Sequence, residues 1–160
     1  MCSTIDSYRL IPNDNQSGYT FITDNGTKYQ IAFIRDYTLE GFEVYQFTLV
    51  VEDGEPSRKD KKIQNTVTNI IEQFFESNQS GLLYICDTND GRQSVRDRLF
   101  SMWYRAYPKK ERFTYESESI EVESVNYYIS LLIRNDNPFL QEMRQSFKTL
   151  CNDLRDKWQE

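Results

Sequence analysis

The sequence predicts an α+β fold, a mixed sheet of about six strands with three helices in the order βββ-α-β-α-ββ-α. Three observations carry that prediction. Runs rich in Val, Ile, Tyr, Phe and Thr, bounded by turn signals, fill 18–51 and return at 113–134. Three other segments repeat apolar residues every three or four positions, the period of a helix packed on one face. One strand also leads through a helix to another strand, and such a passage calls for a right-handed crossover and a parallel pair.

Residues 1–17 read as an N-terminal arm, with Pro12 followed by polar residues, and 18–160 as a single α+β domain. The run 18–23 is a strand. Asp24-Asn25-Gly26 is a hairpin signal, because Asn-Gly suits the positive φ of a tight turn, and 27–34 is the returning strand. The more apolar 43–51 completes an antiparallel meander from the centre of the sheet. The stretch 52–57 then breaks the chain, and Ser57 can cap the helix that follows.

That helix carries Ile63, Val67, Ile70, Ile71, Phe74 and Phe75 as one stripe, and 78–81 ends it. Residues 82–86 form a short apolar strand. Asp90 is the expected cap of the second helix, with Val95, Leu99, Met102, Trp103 and Ala106 as its buried stripe and Pro108 as its stop. Residues 113–122 and 125–134 form a hairpin, and the acidic 116–124 suits a charged edge that resists aggregation. The last helix, opened at 135–138, places Leu140, Met143, Phe147, Leu150, Leu154 and Trp158 on one side. That stripe either closes a sheet face or pairs with another chain, which would make a homodimer.

Composition narrows the chemistry. With 160 residues, 28% of them charged, eleven Tyr and ten Phe, the chain is long and apolar enough for one core. No apolar run approaches the roughly 18 residues of a membrane span, and the first residues have no signal-peptide pattern. Three cysteines, at 2, 86 and 151, are odd in number and widely spaced, which fits a reducing cytoplasm without disulfides. There is no histidine, so Ser-His and Cys-His nucleophiles, His bases and the usual zinc sites are excluded. A net charge of −6 speaks against general nucleic-acid binding. The charge is uneven: 58–112 holds eleven Lys/Arg against seven Asp/Glu, and the remainder eight against eighteen.

In open sheets, ligands favour the carboxyl ends of parallel strands. Two strand-to-helix junctions fall there, and each opens a helix whose N–H groups favour an anion. The candidate ligand-binding residues are Arg58, Lys59 and Lys62 at the first junction, and Asp87, Asp90, Arg92, Gln93 and Arg96 at the second. The ligand expected is a small anion or an acidic protein segment. The competing reading is a structural network in which Asp60, Asp87 and Asp90 pair with the arginines. Asp87 with Asp90 could hold Mg²⁺, but no further acidic cluster accompanies them, so no metal site is expected. Cys86, inside an apolar strand, reads as an inert thiol, and nothing beside Cys151 in sequence would activate it.

Two resemblances follow. The stretch "YICDTNDGRQSVRDRLFSMWY", with "NTVTNIIEQFF" before it and "LLIRNDNP" after it, resembles a family of short bacterial proteins of unknown function over residues 18–155. That resemblance implies a family and no activity. The element order is also similar to the core of the GCN5-related acetyltransferase fold. This likeness implies a coenzyme A pyrophosphate at a Gly-rich loop opening the first core helix, and a Leu-Tyr pair whose hydroxyl is the acid. Here the loop position falls on 57–63, basic but without glycine, and the pair position on Leu99-Phe100, where the hydroxyl is missing. Tyr104 or Tyr107 would need a different geometry. The function these readings favour is a non-enzymatic intracellular binding or regulatory module with no cofactor and no catalytic residue. The alternatives are a divergent acetyl-coenzyme A-dependent N-acyltransferase and a protein that associates through its last helix.

Overall fold

The computed structural model describes residues 6–14, 18–55, 60–86 and 93–158. It is α+β, as the sequence predicts, with a mixed sheet of seven strands and three α-helices among the described residues. In chain order these are β1 (Ile11–Pro12), β2 (Gly18–Ile22), β3 (Lys28–Asp36), β4 (Val44–Asp53), α1 (Lys61–Ser77), β5 (Gly81–Ile85), α2 (Gln93–Ala106), β6 (Phe113–Val122), β7 (Val125–Arg134) and α3 (Leu140–Trp158). The strand order in the sheet is β1-β2-β3-β4-β5-β7-β6. The strand beyond the expected six is β1, two residues long within the stretch read as an arm. Its Pro12 suits an edge, where a missing N–H breaks no ladder. The chain divides into two compact units, Met1–Ile34 with Phe47–Asn78, and Arg35–Gln46 with Gln79–Glu160.

The first unit packs α1 on its strands. Phe21 lies opposite Tyr29 in the β2–β3 register, and Tyr8, Phe21 and Tyr29 stack in one column at 5.7 and 5.2 Å. The hairpin turn uses glycine differently from the expectation. Only Gly26 has positive φ, +84°, and its N–H donates to Thr23 O at 2.9 Å. Three residues therefore link the strands, in a type I turn closed by a left-handed glycine, where a two-residue turn would need Asn25 left-handed too. Helix α1 buries Ile63, Val67, Ile70 and Phe75, and Phe74 stacks on Phe33 at 4.7 Å. The cap expected at Ser57, which lies outside the described residues, is supplied by Asp60. The helix starts at Lys61, so Asp60 holds the extended position before it and accepts from the N–H groups of Lys62 and Ile63.

In the second unit, strands β5, β7 and β6 are covered on both faces. Leu83 lies opposite Leu131, and Leu131 opposite Glu116. That face carries Leu83, Ile129, Leu131, Ile133 and Ile120 against Met143, Phe147 and Cys151 of α3. Met143 and Phe147 of the expected α3 stripe are thus laid on the sheet, with Leu140, Leu150 and Leu154 partly buried beside them, while the side chain of Trp158 lies outside the described residues. The acidic strand β6 is an edge strand. Two of its glutamates also reach α3, Glu116 to Arg144 and Glu118 to Arg155, each at 2.7 Å.

On the opposite face lie Tyr84, Ser130, Ser117 and Tyr115, under α2. Here the phase of α2 departs from the expected stripe. Leu99 is 39% exposed, Met102 53%, and Ala106 is exposed too, whereas Phe100 is buried. Aromatic partners decide the rotation: Phe100 stacks on Tyr84 at 4.4 Å and Tyr104 on Tyr115 at 4.8 Å. The expected cap Asp90 and the side chain of Val95 lie outside the described residues.

Candidate functional site

Of the eight candidate residues, Arg58, Lys59, Asp87, Asp90 and Arg92 lie outside the described residues, and Gln93 is described only as the first residue of α2. Lys62 and Arg96 are described in full. They belong to different units.

At the first junction the helix start is already supplied with an anion. Asp60 Oδ1 takes the N–H groups of Lys62 and Ile63 at 2.9 and 3.2 Å, and Asp60 Oδ2 accepts from the Tyr8 hydroxyl at 2.6 Å. Burial, with the Asp60 bond, pushes the Tyr8 phenol up to about 12. The Lys62 ammonium sits 4.4 Å from the centre of the Tyr8 ring, 3.5 Å from Asp24 and 3.9 Å from Asp6. Lys62 thus closes a local cluster that ties residues 6–8 to α1.

At the second junction the described residues form a polar network between α2 and the sheet. Register assembles it. Tyr84 of β5 lies opposite Ser130 of β7, and Ser130 lies opposite Ser117 of β6, three side chains in a row across three strands. Ser130 donates to Ser117 at 3.2 Å, so its lone pairs receive the Tyr115 hydroxyl at 3.0 Å. Ser117 in turn acts on the Asp97 carboxyl, lowering its pKa. The hydrogen-bonded chain runs one way, Tyr115 to Ser130 to Ser117, with Asp97 beside its end.

Asp97 is on the inward side of α2 because Asp97, Phe100 and Tyr104 follow the helical spacing of three and four. Its Oδ1 is shut off from solvent and has no hydrogen-bond partner among the described residues. Desolvation raises the pKa of this carboxyl, and the Ser117 bond offsets part of that.

Cys86, just past the end of β5, is buried and free. Desolvation, with the charge of Asp97, pushes its thiol up to about 12, while the Tyr84 hydroxyl bond and the charge of Arg96 act in the opposite sense. Desolvation also raises the Tyr84 phenol, again against Arg96. Arg96 thus places a positive charge at the carboxyl end of β5. The chemistry this arrangement can do is limited. A thiol held near 12 is no nucleophile at neutral pH, and the Tyr104 hydroxyl is occupied by the carbonyl oxygens of Lys110 and Phe113, both at 3.2 Å. Among the described residues no group of three or more His, Cys, Asp or Glu could hold a metal.

Sequence reasoning missed Asp97, Tyr115, Ser117 and Ser130. Asp97 had a local signal, its spacing to Phe100 and Tyr104. The serines had none, since only the register of β6 on β7 sets them opposite one another.

The fold and this network define an α+β protein with a polar cluster enclosed between its second helix and its sheet. A family model described as a family of unknown function (DUF6169) matches residues 59–149, and the chain belongs to that family. The match is narrower than the expected 18–155, but it takes in all of α1, β5, α2, β6 and β7 and with them the whole network. Comparison with curated proteins finds no match. No helix among the described residues is long and apolar enough to cross a membrane.

Proposed function

We propose that the protein is a non-enzymatic binding module, working in a reducing cytoplasm, that takes a small anion or an anionic group of a larger ligand where β5 passes into α2. The observation that carries this reading is Arg96, a cation whose charge acts on Cys86 and Tyr84 at the strand end while burial keeps both of those groups protonated. A positive charge with no activated nucleophile beside it suits holding an anion better than attacking a substrate. Asp87, Asp90, Arg92 and Gln93 are the further residues that the sequence puts in this site. Asp97 lies beside this site, so an anion there favours its neutral form, and binding tightens as pH falls through the raised pKa of Asp97.

The test is calorimetry with inorganic phosphate, pyrophosphate and coenzyme A at about pH 7.5. Saturable binding is expected, at least about tenfold weaker in Arg96→Ala and in Arg92→Ala. Arg58→Ala with Lys59→Ala reads separately whether the α1 junction takes an anion. No saturable heat at about 10 mM of any of the three would sink the proposal, since that affinity is the floor for a two-donor anion site. Transfer of the acetyl group from acetyl-coenzyme A would replace it with the acyltransferase reading.

A further inference from the structure

We infer that the outward face of α2 is a docking surface for a short acidic amphipathic segment of another protein. The inference is independent of the anion site and rests on the apolar stripe that α2 leaves uncovered. Leu99, Met102 and Ala106, spaced three and four apart, share one side of the helix and are all exposed, Met102 to 53%. Arg98 and Arg105, seven residues apart, flank that stripe on the same side and are exposed as well. Beyond Pro108 the exposed Lys109 and Lys110 extend the positive charge. The one acidic residue within α2 is Asp97, which is turned inward onto Ser117.

The pattern is therefore an apolar strip with a basic rim, and its complement is a helical segment with leucine-like residues at matching spacing and carboxylates beside them. Methionine at the centre suits such a face, because its flexible thioether adapts to different partners.

Charge also selects the class of partner. Outside 58–112 the chain holds eight basic residues against eighteen acidic ones. An extended polyanion, such as an anionic membrane or a nucleic acid, would meet that acidic remainder as well as α2. A short segment feels only charges within a Debye length of about 8 Å, and there the field is positive. A second copy of the chain would bring Glu121 and Glu123, since Glu116 and Glu118 are engaged with Arg144 and Arg155; those two sit at a strand end and its turn, not on a helix with leucine-like residues at matching spacing. Two large exposed apolar side chains, Leu99 and Met102, and a few rim charges set a transient affinity, on the order of 10 to 100 µM.

The experiment titrates the full chain with a synthetic peptide about 18 residues long, some five helical turns, with leucines on one face and glutamates elsewhere. Binding is followed by fluorescence anisotropy and by amide shifts along α2. The control is a peptide of the same composition with its leucines dispersed. Saturable binding is expected, weakened about tenfold by Met102→Glu and by Arg98→Glu with Arg105→Glu, with little binding of the control. These side chains are exposed, so the thermal midpoint should stay at the wild-type value, and that measurement separates lost docking from lost folding. Equal binding of both peptides would overturn the inference in favour of bare charge, and no saturable binding by about 1 mM would overturn it outright. So would adsorption to phosphatidylserine vesicles without peptide binding, or a concentration-dependent dimer abolished by Met102→Glu.

Discussion

Asp97 holds a costly position. Its Oδ1 is sealed from water and has no hydrogen-bond partner among the described residues, while Ser117 offsets part of the desolvation. A buried acceptor left unpaired costs on the order of 1 kcal/mol or more, and more when it is charged. The raised pKa records that cost as a pH dependence. Because the folded protein binds this proton more tightly than the unfolded chain, the group's contribution to stability is full below the ordinary carboxylate value of 3.8. That contribution is lost as pH rises through the folded value. Asp97→Asn removes the charge and keeps the shape. The expected result is a protein at least as stable as wild type at pH 7, by on the order of 1 kcal/mol, with a flatter dependence of stability on pH above 3.8. Urea unfolding of both proteins at several pH values checks this. A marked loss of stability at pH 7 would show instead that the ionised carboxylate is needed to order Ser117.

Among the elements, α1 owes its start to a contact distant in sequence. Asp60 serves two masters, the backbone of α1 through one oxygen and Tyr8 through the other. Asp60→Ala should cost about 1–2 kcal/mol as a lost cap, and Tyr8→Phe about 1.5–3 kcal/mol as a lost hydrogen bond to a charged group. The double variant should cost less than the sum, with a coupling of at least about 0.5 kcal/mol, because each substitution already breaks the shared bond. Strict additivity in urea unfolding would mean that the bond does not contribute in solution.

The same elements show which parts of the fold a sequence discloses. The β6–β7 hairpin was legible to the residue, since two strand-forming runs, 113–122 and 125–134, flank a short polar turn. The phase of α2 was not. The helix carries two overlapping stripes, Leu99 with Met102 and Phe100 with Tyr104, and the inward one is chosen by Tyr84 and Tyr115, residues on strands that register alone brings beneath it. The cap of α1 failed for a smaller reason. Ser57 and Asp60 are both competent caps, and the helix start picks the one adjacent to it. The site shares the limit of α2, since Arg96 was legible as a basic residue near a strand end, whereas the chain from Tyr115 through Ser130 to Ser117 exists only once β6 and β7 are aligned.

At the scale of the whole molecule, the two described cysteines report how the second unit opens. Cys86 follows β5 on the α2 side of the sheet, bonded to the Tyr84 hydroxyl, and Cys151 lies in α3 within the apolar cluster on the other side. Both are nearly inaccessible, at 2% and 1% exposure, and desolvation pushes their thiols up to about 12 and about 11. Neither can react with a thiol reagent at pH 8 while folded, because the thiolate is scarce and the sulfur is covered. Labelling therefore proceeds through opening, and at low reagent its rate follows the opening equilibrium. In a Cys2→Ser variant, Cys86 and Cys151 should label with the same rate constant if the unit opens as one. Each rate should then rise with urea at the slope of global unfolding. If Cys151 labelled more than about tenfold faster, with a shallow urea slope, α3 would open at least about 1.4 kcal/mol below the sheet. The ion pairs of Arg144 and Arg155 to β6 would then be too weak to bind the helix into one cooperative unit, as half-exposed pairs worth about 0.2–1 kcal/mol each allow.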